Sequence, residues 1–149
     1  NLLIVRAFTK TYAMPALRLG YLLGSNSKIL SDIKKQLPEW NVSLLAQNAG
    51  VAALDETDYI KKAKTIIEAE RIYLTEELRK LKIKVYPSVT DFILIYSDIP
   101  LYEKLLERGI LIRDCSNFEG LSKGYYRIAI KRHEDNVILV EALKKIALV

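Results

Sequence analysis

Residues 6–21 read RAFTKTYAMPALRLGY, a stretch in which a single lysine, Lys10, stands between two apolar segments, with Arg18 eight positions further on. The preceding segment, which begins the chain as NLLIVRAF, has an apolar run typical of a strand buried on both faces of a parallel sheet. Residues 17–25, LRLGYLLGS, predict a second buried strand, and residues 9–15 predict the loop between them. The stretch therefore predicts two core strands with a lysine and an arginine in the connection.

Periodicity predicts the rest of the chain as alternating helices and strands. Helices are expected at residues 27–36 and 43–54, the first ending before Pro38 and the second packing closely through Gly50. From residue 58 the predicted order is helix, strand, strand, helix, strand, strand, helix, which defines an α/β sandwich of one sheet with covering helices. On the first of these helices Arg71 falls on the apolar stripe, so we expect its stem at the core edge and its head in water or on a carboxylate.

The predicted elements divide the chain into two unequal parts. Residues 1–54 hold two strands of buried type, too few to complete a parallel sheet, whereas residues 55–149 contain enough elements for a domain of their own. We therefore expect a boundary near the polar segment that starts at Asp55.

Composition narrows the class of protein. Of the 149 residues, 50% are hydrophobic and 28% are charged, which is the balance of a globular protein. The net charge of +5 is spread over helices in which basic and acidic residues alternate, so nucleic acid is not an expected partner. No apolar run is long enough to span a membrane, and a single cysteine, Cys115, favours a reducing compartment. These features predict a cytoplasmic protein without a membrane partner; no spacing of ligand residues predicts a metal site.

The residues around Lys10 allow two interpretations. A lysine amine lowered in pKa by burial can bond covalently to a carbonyl, and a nearby hydroxyl (Thr9) and guanidinium (Arg18) can hold a phosphate. These groups are part of what a pyridoxal phosphate (PLP) site requires, which also includes a group on the pyridine nitrogen. Alternatively, Lys10 and Arg18 are two surface cations flanking a loop, a more frequent situation for such a spacing.

The string FTK-x-YAMPALRLGY resembles the cofactor-lysine region of the fold-type I PLP-dependent aminotransferases. The resemblance implies that Lys10 is the catalytic lysine that binds PLP, with Thr9 and Arg18 on the cofactor phosphate. Ala7 departs from the pattern, since many relatives have a hydroxyl residue there, and this implies one phosphate contact fewer. On this resemblance residues 1–54 are the C-terminal remnant of the large PLP-binding domain, built on a parallel sheet, and residues 55–149 are the small α/β domain.

The segment ILIRDCSNFEGLSKGYYRIAIK, residues 110–131, resembles the corresponding region of the L-threonine-O-3-phosphate decarboxylase family, close relatives of the histidinol-phosphate aminotransferases. The resemblance implies that Arg127 binds the substrate carboxylate and Arg113 the substrate phosphate or the same carboxylate. The residues alone, without the resemblance, instead favour pairing of each arginine with a local acid such as Asp114 or Glu119.

The resemblance covers essentially the whole chain and aligns it with the last two-fifths of such an enzyme. It implies a C-terminal fragment of a PLP-dependent decarboxylase of threonine phosphate in cobalamin biosynthesis, which forms (R)-1-amino-2-propanol phosphate and acts as a homodimer. The fragment alone is expected to be inactive. Two alternatives remain open: an aminotransferase of the histidinol-phosphate type, and a non-catalytic module that only binds or dimerises.

Overall fold

The computed structural model describes residues 2–147, and the chain divides into two compact units, Asn1–Lys62 and Ala63–Val149. Each unit contains its own sheet. The division falls within a long helix, a few residues beyond the polar segment at Asp55.

The first unit contains a two-stranded sheet and three helices. Its elements are β1 (Leu3–Ala7), α1 (Phe8–Thr11), β2 (Gly20–Gly24), α2 (Ser27–Gln36) and α3 (Leu44–Asp55). The expectation that both strands are buried on two faces was wrong for the described residues: β1 and β2 pair with each other antiparallel, and all of β1 is exposed. An apolar run specifies a strand but not the direction of its partner, and the segment between these two strands contains only the four-residue helix α1. The predicted loop at residues 9–15 also differs, because its first part continues the helical turn α1.

Local capping fixes the starts of α2 and α3, which confirms their prediction from sequence. Asn26 Oδ1 accepts a hydrogen bond from the Ile29 amide at 3.1 Å, and Ser43 Oγ accepts one from the Ala46 amide at 3.2 Å. Each bond satisfies an amide that has no partner inside the first helical turn.

Gly50 brings α3 close to the residues that follow β1, as predicted. A Cβ atom at this position would lie 2.5 Å from Leu19 Cδ2 and 3.8 Å from Phe8 Cζ. Phe8, at 4% exposure, stacks on Tyr12 with ring centroids 4.9 Å apart. The small core of the first unit therefore lies directly beneath α1.

The second unit is a four-stranded antiparallel sheet with helices, in the predicted order. Its elements are α4 (Thr57–Lys80, which begins in the first unit), β3 (Lys84–Val85), β4 (Phe92–Tyr96), α5 (Leu101–Leu106), β5 (Arg113–Asp114), β6 (Tyr125–Ala129) and α6 (His133–Ala147). The strands lie in the order β3-β4-β6-β5. Arg71 on α4 is half-buried as expected, but its Nη1 donates to the carbonyls of Ser88 (3.2 Å) and Thr90 (3.5 Å) rather than to a carboxylate.

Alternation along the strands separates a core face from an open face. Ile93 and Ile95 of β4 are fully buried. Phe92, the first residue of the same strand, points to the other face and is 36% exposed. The core also contains residues of all three helices: Leu74, Leu78, Leu101, Leu105, Leu139 and Leu143. The helices thus cover one face of the sheet and leave the side chains of the other face accessible to ligands.

Gly124, which precedes β6, is required by the turn, and Gly124→Ala is expected to destabilise the fold by about 1–3 kcal/mol. Its φ is +93°, and an added Cβ would lie 2.8 Å from the Ser97 carbonyl oxygen, which is backbone and has little freedom to move. Gly109→Ala is the control: its φ is +73° but nothing lies within 4 Å, so only backbone strain is added. Urea unfolding followed by circular dichroism measures both. An equal loss in the two variants would contradict a steric role for Gly124.

Candidate functional site

The predicted cofactor residues Thr9, Lys10 and Arg18 lie at one end of the two-stranded sheet. The last residue of β1, Ala7, pairs with Gly20, the first residue of β2, and the Phe8 amide extends the ladder by donating to the Leu19 carbonyl at 3.1 Å. Lys10 and Thr9 follow β1 directly, and Arg18 precedes β2 by two residues. The hairpin therefore brings the three residues to the same edge of the first unit.

The side chains at this edge suit PLP by their chemistry. Lys10 is exposed, Thr9 is half-buried, and Arg18 has a left-handed backbone (φ +52°) with its Nη1 donating to the Pro15 carbonyl at 3.2 Å. Within residues 2–147, no carboxylate forms an ion pair with Lys10 or Arg18. An amine suits the carbonyl of this cofactor, and a hydroxyl and a guanidinium suit its phosphate, so these residue types are compatible with PLP and their roles stay a prediction.

The predicted substrate residues Arg113 and Arg127 face each other on neighbouring strands of the second unit. In the antiparallel pairing of β5 with β6, Arg113 is the direct partner of Arg127, and both side chains are exposed. Directly opposed residues of two strands have Cβ atoms about 5 Å apart. The fold therefore places the Cα atoms of the two arginines directly opposite each other, with both side chains on the open face of the sheet.

The alternative that these arginines pair with nearby acids is not supported by the contacts. The Asp114 carboxylate instead accepts hydrogen bonds from the Ser116 amide (2.9 Å) and the Ser116 hydroxyl (3.0 Å). Arg113 Nη2 donates to the Asn117 amide oxygen at 3.1 Å. In the part of the chain that the structure describes, neither arginine has an ion-pair partner among the acids.

Aromatic rings accompany both arginines, a feature that the sequence analysis missed. The Arg127 guanidinium carbon lies 4.8 Å from the centroid of the Phe92 ring, and that of Arg113 lies 5.5 Å from the centroid of Phe118. The alternation of FILIY at residues 92–96 is the signal that places Phe92 on the open face, but its proximity to Arg127 depends on the pairing of β4 with β6.

Three tyrosines of the second unit form a cluster, in which Tyr125 contacts the rings of both Tyr86 and Tyr96. The hydroxyl oxygens of Tyr86 and Tyr125 are 3.2 Å apart, and the Tyr96 hydroxyl donates to Asp98 Oδ1 at 2.7 Å. The hydrogen bond with Tyr125, followed by one with Lys84, lowers the pKa of Tyr86, whereas the same contact with Tyr86 raises the pKa of Tyr125. The hydrogen bond to Asp98 raises the pKa of Tyr96.

The remaining reactive side chains do not form a nucleophilic or metal site. Cys115 is 2% exposed, and desolvation raises the pKa of its thiol although Arg127 and Arg113 oppose the shift. His133 begins α6, and its Nδ1 lies 3.0 Å from Glu70 Oε1, a link between α6 and α4. Among residues 2–147, no group of three or more histidine, cysteine or acidic side chains is arranged to hold a metal ion. None of the described helices is long and apolar enough to cross a membrane.

Comparison with known proteins identifies the family. Residues 1–143 match the model of the family described as aminotransferase class I and II, and the chain belongs to this family, whose members use pyridoxal 5'-phosphate. The fold agrees: a histidinol-phosphate aminotransferase from Clostridium acetobutylicum superposes with a TM-score of 0.94 over 99% of this chain and 46% of its own, at 37% identity.

The curated relatives carry two different activities. A histidinol-phosphate aminotransferase from Clostridium kluyveri is 40% identical over 98% of this chain and 42% of its own. A threonine-phosphate decarboxylase from Salmonella typhimurium is 35% identical over 96% of this chain and 40% of its own. The chain thus spans about two-fifths of the length of these relatives. Family membership is established by these matches, and the reaction is a separate question.

Proposed function

We propose that the chain is part of a PLP-dependent enzyme that decarboxylates L-threonine O-3-phosphate to (R)-1-amino-2-propanol phosphate, a step of cobalamin biosynthesis. The observation that carries the proposal is the arginine pair Arg113 and Arg127, two adjacent cations without carboxylate partners among the described residues. A substrate with both a carboxylate and a phosphate matches such a pair in charge and in geometry. The relationship to the Salmonella typhimurium decarboxylase supports the reaction.

The first unit supplies the cofactor residues in this proposal. Lys10 binds PLP covalently through its ε-amine, and Thr9 and Arg18 bind the cofactor phosphate by a hydroxyl bond and a charge-assisted bond. Bound PLP supplies an electron-withdrawing ring that stabilises the electron pair left at Cα when a bond to that carbon breaks. The Lys10 amine would also act as the base or acid that moves the proton at Cα. Residues 1–54 then belong to the PLP-binding domain, and residues 55–149 form the small domain.

The arginines determine which bond breaks. Arg127 binds the substrate carboxylate and Arg113 the phosphate or the same carboxylate. By fixing both anionic groups, they hold the bond from Cα to the carboxylate in the orientation that favours loss of CO2. A decarboxylase and an aminotransferase of this family differ in this orientation rather than in the type of catalytic residue. We further propose a cytoplasmic homodimer without nucleic-acid or membrane partners.

An aminotransferase of the histidinol-phosphate type is the second candidate. The 40% identity to the Clostridium kluyveri aminotransferase and the close superposition on the Clostridium acetobutylicum structure favour it. In that reaction the arginine pair binds the substrate phosphate, and Lys10 removes the proton from Cα. The third candidate is a module that only binds or dimerises. It is distinguished from both enzymes by the absence of a covalent cofactor adduct at Lys10.

The deciding experiment uses the whole protein with threonine phosphate as substrate. We expect CO2 release without a 2-oxo acid, and no accumulation of the amine form of the cofactor. Arg127→Gln is expected to lower kcat/KM by about a hundredfold, because a bidentate charge-assisted contact is lost. The control is Arg108→Gln, an exposed arginine whose guanidinium donates to the Lys104 carbonyl, and this change should leave kcat/KM unchanged.

Other results of these assays would favour the alternative functions. Transfer of the amino group of histidinol phosphate to a 2-oxo acid, without CO2 release from threonine phosphate, would replace the decarboxylase by the aminotransferase. The isolated 149-residue chain is expected to give little or no turnover, since it corresponds to about two-fifths of the relatives' length. Turnover by that chain alone would contradict this expectation.

A further inference from the structure

The arginine pair of the second unit has an unusual set of neighbours. Arg113 and Arg127 are direct partners in the pairing of β5 with β6, so two basic residues start from opposed positions on the open face of the sheet. Opposed like charges destabilise a sheet, and proteins ordinarily offset this cost with nearby carboxylates. Within residues 2–147, the ring contacts and the side-chain hydrogen bond of the two guanidinium groups are instead with uncharged residues: Phe92, Asn117 and Phe118.

Phe92 holds Arg127 through the face of its ring. The guanidinium carbon is 4.8 Å from the ring centroid, within the range of a cation–π contact. The contact orients the planar guanidinium and leaves the N–H groups at its edge free for a ligand. Phe92 is the first residue of β4, and Ile93 and Ile95 of the same strand are fully buried. The backbone that carries the Phe92 ring is therefore held in place by the core.

Asn117 holds Arg113 through a neutral hydrogen bond. The amide oxygen accepts from Nη2 at 3.1 Å, and the Phe118 ring lies 5.5 Å from the same guanidinium. An aspartate at position 117 would have nearly the same shape and would bind Arg113 more strongly. It would also neutralise part of the charge that an anionic ligand meets.

We propose that Phe92, Asn117 and Phe118 are positioning residues that orient the arginine pair without neutralising it. Uncharged partners fix the two guanidinium groups and keep both positive charges available to an anion. The inference rests on the proposed function insofar as it takes the pair to bind the anionic groups of the substrate. The inference names the residues that strengthen anion binding by the arginine pair. It also explains why a charged partner for Arg113, such as aspartate at position 117, is expected to weaken that binding.

The test titrates the full 149-residue chain with inorganic phosphate. Binding is followed by NMR at the Nε–H groups of Arg113 and Arg127, so that phosphate bound elsewhere on the chain is not counted. Asn117→Asp is expected to weaken phosphate binding by about three- to tenfold, because the new carboxylate competes for Arg113 and repels the anion. The control for net charge is Asn48→Asp, an exposed position on α3, where affinity at the arginine pair should stay within about twofold.

Phe92 is tested by a pair of variants. Phe92→Leu should weaken binding about two- to fivefold and increase the motion of the Arg127 guanidinium, measured by nitrogen relaxation, whereas Phe92→Tyr keeps the ring and should restore both. Thermal unfolding of each variant identifies any that fail to fold. If Phe92→Leu does not fold, the phosphate affinity of Phe92→Tyr decides whether the aromatic ring is sufficient to position Arg127.

The outcomes separate the inference from the proposed function. If wild type binds phosphate at the pair and Asn117→Asp binds it equally well, the inference is wrong and the proposed function stands. If wild type shows no phosphate-dependent change at either arginine, the inference is wrong, and the proposed function is decided separately by CO2 release from threonine phosphate by the whole protein. A merely structural role for Asn117 predicts the same affinity in the aspartate variant, because the hydrogen bond to Arg113 is retained.

Discussion

Lys10→Ala is expected to abolish retention of PLP by the whole protein and to lower turnover by about a thousandfold or more. The physical reason is that the lysine has two roles in the proposal, covalent attachment of the cofactor and proton transfer at Cα, and no other residue of the edge carries an amine. In the sequence, Lys10 is the only lysine before Lys28. Its position directly after β1, at the sheet end shared with Arg18, is the structural basis of the prediction.

The measurement is the intact mass of the whole protein after PLP and borohydride treatment, followed by peptide mapping. Wild type should gain one cofactor on the peptide that contains Lys10, and Lys10→Ala should not. Lys28→Ala is the matched control, an exposed lysine in the first turn of α2, and should keep both the adduct and the activity. A specific adduct that persists in Lys10→Ala would exclude Lys10 as the cofactor residue, whereas the absence of an adduct in wild type would favour the non-catalytic module.

The helices could be predicted from sequence because their limits are set by neighbouring residues. Asn26 and Ser43 cap α2 and α3 with their own side chains, and Pro38 lies just beyond the end of α2. The strands were predicted less well, since their limits depend on partners distant in sequence. In the segment ILIRDC, only Arg113 and Asp114 form strand pairs. They make up β5, a two-residue strand at the edge of the sheet that pairs with β6 alone.

In the candidate site, too, the residue types could be predicted from sequence, whereas the contacts that depend on distant strands could not. Sequence indicated Arg113 and Arg127 as site residues, and their roles in binding remain a proposal. Their direct opposition depends on the register of β5 with β6, and the ring beneath Arg127 depends on the register of β6 with β4. Neither register is encoded by spacing along one strand. Phe92 was therefore found only when three strands were considered together.

Leu74→Ala is expected to have the largest effect on folding, a loss of about 2–5 kcal/mol in the free energy of unfolding. Leu74 is fully buried on α4, in the cluster between the helices and the core face of the four-stranded sheet. Its removal leaves a cavity that surrounding leucines and isoleucines, held on rigid elements, fill only in part. A domain of ordinary stability has about 5–15 kcal/mol in total, so such a loss approaches the limit for folding.

The control is Ile72→Ala on the same helix, because Ile72 is 56% exposed and its truncation removes little buried surface. It should cost less than about 1 kcal/mol. Urea unfolding followed by far-ultraviolet circular dichroism measures both variants, and equal slopes with urea confirm that the same structure unfolds. Equal losses would mean that α4 is stabilised by its helical propensity rather than by burial against the sheet. Leu74 and Ile72 lie two residues apart on one helix, so the comparison isolates packing against the core as the source of stability in the unit that carries the arginine pair.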